Sequence, residues 1–306
     1  PDPYAVWVSE IMLQQTQVDT VRPYFTRFLE TFPTLADLAE ATDEKLLKSW
    51  EGLGYYTRVR NLRKAAQIVL RDYKGQLPST AETLHQLPGI GPYTAAAIAS
   101  IAFGEAIPVV DGNVGRVFAR FRLLEDNFKK EAPRKALAQW LTPHILSAQA
   151  SSDFNQAMME LGALVCTPRN PQCEHCPLQK ECQAFAQNVQ ADYPKIEAAK
   201  TLPTRKGKVL LITNTHGEIL LTQHHGERLL NGFWELPSCD ALTLPKRPKK
   251  VFTYKQTFSH FHLILSVYTH PAINLPAPAH HQWESLPTDL PLTTATRKIL
   301  HHLHAE

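Results

Sequence analysis

Four of the five cysteines lie close together with the spacing C-x6-C-x2-C-x5-C: Cys166, Cys173, Cys176 and Cys182. Four thiolates this close suit a single metal centre, and nothing in the sequence indicates the oxidising compartment that a pair of disulfides needs. Structural zinc sites usually contain two pairs of cysteines with the short spacing C-x2-4-C. This pattern contains only one such pair. We therefore expect a [4Fe-4S] cluster, with zinc and disulfides as the alternatives.

Two acidic residues have surroundings that suit acid chemistry. Glu10 lies within the apolar segment AVWVSEIML, where desolvation raises the proton affinity of a carboxyl group and makes it an acid near neutral pH. The alternative is an exposed glutamate on the polar face of a helix. Asp111 follows IPVV and opens the helical segment GNVGRVFARF. An aspartate there is an N-cap worth about 1 kcal/mol, and its carboxylate can also stabilise a developing cation.

A tight turn lies between these carboxylates in the sequence. The segment QLPGIGPYTA, residues 86–95, predicts a hairpin between two helices. Gly89 and Gly91 allow the backbone to approach a neighbouring surface closely, since glycine has no Cβ. The amides at the start of the next helix then form an anion site that suits a DNA phosphate. The alternative is a plain connection between helices.

The elements that must position these residues fall into two parts. From Tyr4 to about Phe185 the apolar residues have helical periodicity, which predicts an all-α domain. Residues 187–207 are polar and rich in lysine and proline, which is typical of a linker. Beyond them, KVLLITNT, EILLTQHH, FWELP and HFHLILSVYT predict strands, and a helix near 294–303 completes a small α+β domain. The first helical stripes are Val6, Ile11, Leu13 and Val18; Phe25, Phe28 and Leu29; and Leu62, Ala65, Ala66, Ile68 and Val69.

Composition limits the classes of function. The 306 residues are 43% hydrophobic, enough for two domains with real cores. No apolar run reaches the roughly 18 residues of a membrane span and no secretory signal is visible, so we expect a soluble, cytoplasmic protein. The net charge of +3 is concentrated in residues 201–306. A polyanion bound by the first 200 residues must therefore be recognised by local geometry and backbone amides.

The motifs together resemble a known family. LPGIGPYTA, VVDGNVGR and the four-cysteine loop, in this order, are similar to the helix-hairpin-helix DNA glycosylases that include endonuclease III. WVSEIMLQQTQV, GLGYYTRVRNL and FSH narrow the resemblance to the MutY-type adenine DNA glycosylases, over nearly the whole chain. It implies a glycosylase domain at 1–186 (a six-helix part at about 1–104 and an iron-sulfur part at about 105–186), a linker at 187–207 and a Nudix-like domain at 208–306. The implied partner of the monomeric enzyme is double-stranded DNA with adenine opposite 8-oxoguanine or guanine, in a bacterial cell.

The resemblance also implies catalytic roles. Glu10 protonates adenine N7, and Asp111 stabilises the oxocarbenium-like state or bonds to it transiently before water completes the reaction. Asn113 helps to hold the catalytic groups. Relatives that also cut the strand have a lysine in place of Tyr93, and no lysine occurs between Lys74 and Lys129. We therefore expect a monofunctional glycosylase without lyase activity.

Further roles that the resemblance implies concern DNA. Gln15 and Tyr55 act as wedges around the opposite base, with Thr16 and Leu53 nearby. The alternative for Tyr55 and Tyr56 is packing in the core. Phosphate contacts are expected from Gly89, Gly91, Arg58 and Arg169, with a solvated side chain as the alternative for Arg169.

The C-terminal segment NGFWELP resembles the strand that leads into a Nudix helix, but SCDALTLPKRPKK lacks the glutamates that bind magnesium. Hydrolysis in this domain is therefore not expected. The resemblance instead implies a reader of 8-oxoguanine that uses Phe258, Ser259 and His260. The alternative for these three residues is the end of a strand.

Three other functions compete with this interpretation. They are a bifunctional lyase on oxidised pyrimidines, a nucleotide pyrophosphatase and a DNA-binding protein without activity. Tyr93 argues against the lyase, because it stands where a lyase has a lysine. The missing glutamates argue against the pyrophosphatase. The presence of both Glu10 and Asp111 argues against a protein without activity. Family members usually have a tryptophan and an arginine in a segment before DPY, and these help to close the adenine pocket. The sequence begins at Pro1, so we expect the chain as given to excise adenine weakly.

Overall fold

The structure is a computed structural model that describes residues 1–146, 150–195, 201–225, 230–270 and 276–304. No helix in these ranges is long and apolar enough to cross a membrane. The α-helices are α1 (Pro3–Leu13), α2 (Val18–Thr31), α3 (Leu35–Ala39), α4 (Asp43–Ser49), α5 (Thr57–Asp72), α6 (Ala81–Leu84), α7 (Pro92–Phe103), α8 (Gly112–Arg122), α9 (Glu131–Leu146), α10 (Ser151–Glu160), α11 (Gln183–Ala186) and α12 (Thr294–His304).

Helix α1 is defined by a cap and an apolar face. The Asp2 carboxylate accepts hydrogen bonds from the amides of Tyr4 and Ala5, at 3.1 and 3.3 Å, which satisfies two of the free N–H groups at the helix start. Most of its apolar side chains are buried, among them Trp7, Val8 and Ile11, and α1 packs against α7. The prediction that its stripe continues to Val18 is wrong, because α1 ends at Leu13 and Val18 begins α2 with 49% of its surface exposed.

Helices α7 and α8 begin at the two predicted motifs. Gly91 is the N-cap of α7, Pro92 is its first residue, and Gly104 ends it in the left-handed conformation. Asp111 is the N-cap of α8. One core of the chain forms around α8, α9 and α10, from Val110, Val114, Val117, Phe118, Ala119, Phe128, Leu137, Leu141, Met158 and Leu161.

Short helical turns carry the cysteines. A π-helical turn, Leu161–Val165, follows α10 and ends next to Cys166. The 3-10 turns Cys173–His175 and Gln179–Glu181 follow, and Cys182 precedes α11.

The C-terminal part contains two three-stranded sheets, which confirms the predicted combination of a helical and a strand-containing domain. One sheet has the order β1-β5-β4, with β1 parallel and β4 antiparallel to β5, and the other has the antiparallel order β3-β2-β6. The strands are β1 (Thr204–Ile212), β2 (Ile219–Gln223), β3 (Trp234–Glu235), β4 (Lys249–Thr257), β5 (His262–His270) and β6 (His281–Glu284). The sequence did not predict β4 or β6.

The predicted linker is shorter than 187–207, because β1 already begins at Thr204 and residues 190–192 form a 3-10 turn. Residues 196–200 of that linker lie outside the described residues. The chain forms two compact units that are not consecutive segments. Unit 1 contains Pro1–Val18, Thr34–Ala39 and Asn61–Ala199; unit 2 contains Asp19–Pro33, Glu40–Arg60 and Lys200–Glu306.

Candidate active site

Glu10 and Tyr93 meet in unit 1. The Tyr93 hydroxyl group donates a hydrogen bond of 3.2 Å to Oε2 of Glu10, although the residues are far apart in sequence. Only 7% of the Glu10 surface is exposed, because its neighbours on α1 are apolar and buried. Glu10 is therefore not the exposed glutamate that the sequence left open.

The surroundings of Glu10 favour its neutral form. Burial raises the pKa of Glu10 to about 7; the hydrogen bond from Tyr93 opposes this rise, and the charge of Asp111 adds to it. Loss of hydration penalises a carboxylate, and a second anion nearby penalises it further. Near neutral pH, Glu10 can therefore hold a proton and release it.

Asp111 is better provided with donors. The Val114 amide donates to its Oδ1 at 2.7 Å, and Nδ2 of Asn113 donates to its Oδ2 at 2.9 Å. Burial raises the pKa of Asp111, while these donors and the positive charge of Arg116 lower it. In the described part of the chain Glu10 receives a hydrogen bond from the Tyr93 hydroxyl group, whereas Asp111 receives one from an amide and one from a carboxamide, so the two environments favour Glu10 as the acid and Asp111 as the anion.

Sequence reasoning missed Arg116, which connects Asn113 to the cysteine region. Its guanidinium group donates to Oδ1 of Asn113 at 2.9 Å, to the Gly162 carbonyl at 2.7 Å and to the Cys166 carbonyl at 2.8 Å. Arg116 is only 8% exposed. The available signal was the pair Arg116 and Arg120, four residues apart within an apolar helix.

Arg120, one helical turn after Arg116, also donates hydrogen bonds to carbonyl groups near the cysteines. It is 2% exposed and donates to the carbonyls of Thr167, Pro168 and Tyr193, at 2.7, 3.1 and 3.0 Å. Its Nη1 also lies 3.3 Å from Sγ of Cys166. The two arginines thus fix the first part of the cysteine loop to α8.

The four cysteines of the motif line one cavity, together with Val117, Phe121 and Leu178. All five cysteines are described, and none forms a disulfide. Burial and the neighbouring thiols raise the pKa of Cys173. Among the described residues, no group of three or more His, Cys, Asp or Glu side chains is arranged to hold a single ion. Four thiols around one cavity are the donor set that an iron-sulfur cluster uses.

The hairpin before α7 has the predicted geometry. Gly89 is exposed with a φ of +81°, and a Cβ added there would lie 2.8 Å from Cβ of Asn61. Gly91 gives α7 no side-chain cap. Within the described residues no side-chain cap bonds to the start of α7, which leaves its first-turn amides available to an anion. Phosphate binding there stays a prediction.

The predicted wedge residues lie in two turns. Gln15 is exposed in the turn after α1 with a φ of 57°, and Thr16 next to it is half-buried. Tyr55 is 40% exposed with a φ of 49°, so it is not a core residue, whereas Leu53 is buried. Non-glycine residues rarely adopt this left-handed conformation, and they often do so at functional turns.

Arg58 differs from its predicted role as a phosphate contact. Its Nη2 donates to the carbonyls of Leu53 and Gly54, at 3.4 and 3.2 Å, and its guanidinium group lies over the rings of Trp50 and Tyr55, at 5.3 and 5.6 Å. Burial lowers the pKa of Arg58 to about 10. The geometry makes Arg58 an internal brace of its loop. Arg169, by contrast, is exposed.

The predicted reader residues form the turn between β4 and β5 and are not part of either strand. The Phe258 ring stacks on the Phe261 ring with the centroids 4.7 Å apart. Ser259 and His260 are exposed and contact each other at 3.1 Å. Arg205 lies 4.4 Å above the Phe261 ring. A flat, partly exposed aromatic pair beside polar groups suits the binding of a planar base.

The segment that would carry a Nudix helix has none. Residues 236–248, all of them described, contain bends and turns between β3 and β4.

Family models match three parts of the chain. Residues 8–143 match the HhH-GPD superfamily base excision DNA repair protein, residues 166–182 the iron-sulfur binding domain of endonuclease III, and residues 208–302 the NUDIX domain. These matches confirm the predicted fold class and the presence of an iron-sulfur domain.

Sequence similarity to known proteins identifies the family of the chain. The adenine DNA glycosylase of Buchnera aphidicola subsp. Schizaphis graminum (strain Sg) is 31% identical over 275 residues, which cover 85% of this chain and 78% of that protein. The chain belongs to the adenine DNA glycosylase family. The family's Mus musculus member is 51% identical over 192 residues, 61% of this chain and 36% of that protein. The chain thus spans about a third of the length of this mammalian adenine DNA glycosylase.

A solved structure of a thermostable thymine-DNA glycosylase has the same helical fold as this adenine DNA glycosylase family member. The matched region covers 61% of this chain and 85% of the thymine-DNA glycosylase, with a TM-score of 0.55 and 29% sequence identity.

Proposed function

We propose that the chain is a monofunctional glycosylase that hydrolyses the N-glycosidic bond of adenine mispaired with 8-oxoguanine or guanine in double-stranded DNA. It acts as a monomer in the bacterial cytoplasm. The observation that carries the proposal is the buried Glu10 carboxyl group, with a pKa of about 7, beside the Tyr93 hydroxyl group and the charge of Asp111. Family membership supports adenine as the base.

The reaction begins with transfer of the Glu10 proton to adenine N7. Protonation makes adenine a better leaving group, so the C1′–N9 bond breaks and its electron pair goes to the base. The ionised Asp111 stabilises the oxocarbenium-like sugar that remains, because an anion fixed before the reaction costs no reorganisation. Water then adds to C1′ and gives its proton to a carboxylate, which leaves free adenine and an abasic site.

The absence of strand cleavage follows from Tyr93. A lyase needs an uncharged amine that attacks the sugar, and a tyrosine hydroxyl group cannot form a Schiff base. In this chain the hydroxyl group instead donates to Glu10. Tyr93 therefore adjusts the acid and does not act as a nucleophile.

DNA recognition uses three features. The hairpin with Gly89 and Gly91 binds a phosphate through backbone amides, and the exposed Gln15 and Tyr55 enter the duplex where adenine has left the stack. The turn of Phe258, Ser259 and His260 reads 8-oxoguanine. Stacking on an aromatic surface with hydrogen bonds at its edge is the usual way to bind an extruded base.

Cys166, Cys173, Cys176 and Cys182, which line one cavity, would hold a cluster of the [4Fe-4S] type. When bound, the cluster would close the loop 166–182 through iron-thiolate bonds and so contribute to its stability. Arg116 then transmits the position of this loop to Asn113 through its hydrogen bonds to the Cys166 carbonyl and to Oδ1 of Asn113.

A duplex assay tests the function. Labelled DNA with adenine opposite 8-oxoguanine is incubated with the chain and then treated with or without alkali; we expect cleavage only after alkali, and little with adenine opposite thymine. Glu10→Gln abolishes excision, whereas Glu82→Gln, at an exposed glutamate of unit 1, leaves it unchanged. Strand breaks without alkali, or a borohydride-trapped adduct, would instead identify a lyase. Full activity of Glu10→Gln would reject the assigned acid.

A further inference from the structure

The turn that carries Tyr55 lacks regular secondary structure and is braced from within. We call residues 50–56, between α4 and α5, the Tyr55 loop. The Trp50 indole donates to the Gly54 carbonyl at 3.1 Å, and Arg58 donates to two carbonyls of the loop. These bonds fix the shape of the loop but not its orientation.

The same compact unit contains the Nudix-like fold, and this fold binds both ends of the Tyr55 loop. At the C-terminal end, the rings of Tyr56 and Phe233 lie 4.1 Å apart and both residues are buried, while Nη2 of Arg60 donates to the Asn231 carbonyl. A Cβ at the adjacent Gly232 would lie 2.9 Å from Cδ1 of Leu47 on α4, so the surfaces touch closely.

At the N-terminal end, charged groups make the contact. Nζ of Lys48 donates to the carbonyls of Thr288 and Leu290, at 2.9 and 3.1 Å. The buried carboxylate of Glu51 lies 3.1 Å from Lys48 and 3.9 Å from Arg297. Because Arg297, Thr288 and Leu290 belong to the Nudix-like fold, these contacts attach the N-terminal end of the loop to it.

Between these two anchored ends, Tyr55 remains 40% exposed. A wedge must keep its position while a base pair opens, and a loop ordered beforehand does not lose conformational entropy at that moment. We propose that Phe233, Lys48 and Arg297 are positioning residues that hold the Tyr55 loop against the Nudix-like fold for insertion into DNA. This inference rests on the proposed function and extends it from lesion reading to opening of the duplex.

Base opening is measured with a fluorescent adenine analogue next to the target adenine, in the Glu10→Gln background so that no excision occurs. Wild-type excision is measured first, because its absence would reject the proposed function and not this inference. Phe233→Ala should lower the equilibrium constant for unstacking at saturating protein about tenfold, the upper end of the effect expected for one aromatic contact. Lys48→Met should lower it in the same direction, because the two hydrogen bonds of Lys48 are lost. Tyr55→Ala gives the reference loss.

A double-mutant cycle separates positioning from general damage. If Phe233 and Lys48 act through Tyr55, their variants have no further effect on unstacking once Tyr55 is alanine. Leu220→Ala, at a buried site of a separate core cluster in the same unit, is the matched control and should leave unstacking unchanged. Additive losses, or wild-type unstacking in Lys48→Met, would overturn the inference. Lys48 is partly exposed, so this variant remains informative if Phe233→Ala does not fold.

Discussion

The Tyr93 hydroxyl group donates to Oε2 of Glu10 at 3.2 Å and also lies 3.4 Å from the sulfur of Met159. A donor stabilises the ionised form of a carboxyl group, so this bond lowers the pKa of Glu10 while burial and Asp111 raise it. Tyr93 therefore limits the pKa of the acid to a value near neutrality.

Tyr93→Phe should raise the pKa of Glu10 by up to about one unit, because it removes the hydrogen bond that opposes the effect of burial. The protonated acid is the active form, so excision would persist to higher pH than in the wild type. A single-turnover rate profile from roughly pH 5 to pH 9 measures this shift. Tyr73→Phe, also in unit 1, is the control. An unmoved or acid-shifted profile in Tyr93→Phe would contradict the argument.

Glu10 also makes stability depend on pH. Its pKa rises from 4.5 to about 7 on folding, so the folded state binds more protons between these values. Stability therefore falls as pH rises through this window and is constant above it, with a total loss of at most about 3 kcal/mol. The free energy of unfolding of Glu10→Gln, minus that of the wild type, should therefore be larger above about pH 8 than below about pH 4. The increase should be at most about 3 kcal/mol. Denaturant unfolding at both pH values measures it, and a pH-independent difference would show that Glu10 is not desolvated.

Asp111→Asn should separate capping from catalysis. Asparagine caps helices about as well as aspartate, so we expect the free energy of unfolding to change by no more than about 1 kcal/mol. Excision should fall by at least about a hundredfold, since the stabilising negative charge is lost. The same change at the N-cap of α1, Asp2→Asn, should leave excision unchanged. A large loss of stability in Asp111→Asn would instead mark a structural role.

Local sequence context indicated candidate residues for the site but not the hydrogen bonds that connect them. The apolar residues around Glu10 indicated an acid with a raised pKa. The position of Asp111 at a helix start indicated a cap that could also act as an anion, and the spacing of the cysteines indicated a metal centre. Arg116, in contrast, bonds to Gly162 and Cys166, which are 46 and 50 residues away, so no short pattern reports its role. The same limit applies to Arg58. Its position beside an aromatic turn indicates a phosphate contact, but the sequence does not show that its guanidinium group donates to the carbonyls of Leu53 and Gly54.

The fold was predictable where periodicity was strong. Strand β4, KKVFTYKQT, was missed because four of its residues are charged or amide side chains and its apolar residues are not fully buried. It lies at the edge of its sheet, where lysines are common and a clean apolar alternation is not required. The division into units was also inaccessible, since residues 40–60 join the C-terminal part only through long-range contacts.

Cys176→Ser should reduce the iron content of the purified chain and the visible absorption of its cluster, because serine replaces one of four thiolate ligands. Loss of the cluster would also lower the melting temperature, since metal binding contributes to folding. Cys239→Ser is the control, because Cys239 packs beside the strands of unit 2 and is not part of the motif. Full iron content in Cys176→Ser would exclude that residue as a ligand.

Arg116→Lys should impair both stability and excision although it keeps the charge. A lysine ammonium group cannot reproduce the fork that reaches Asn113, Gly162 and Cys166, and each buried acceptor left unpaired costs about 1 to 3 kcal/mol. Because Asn113 donates to Asp111, its displacement should lower the excision rate at saturating enzyme more than it weakens DNA binding. Single-turnover rates, binding titrations and thermal melting separate these effects. Arg122→Lys, at an exposed position on α8, should resemble the wild type in all three measurements, and equal behaviour of the two variants would remove Arg116 from the site.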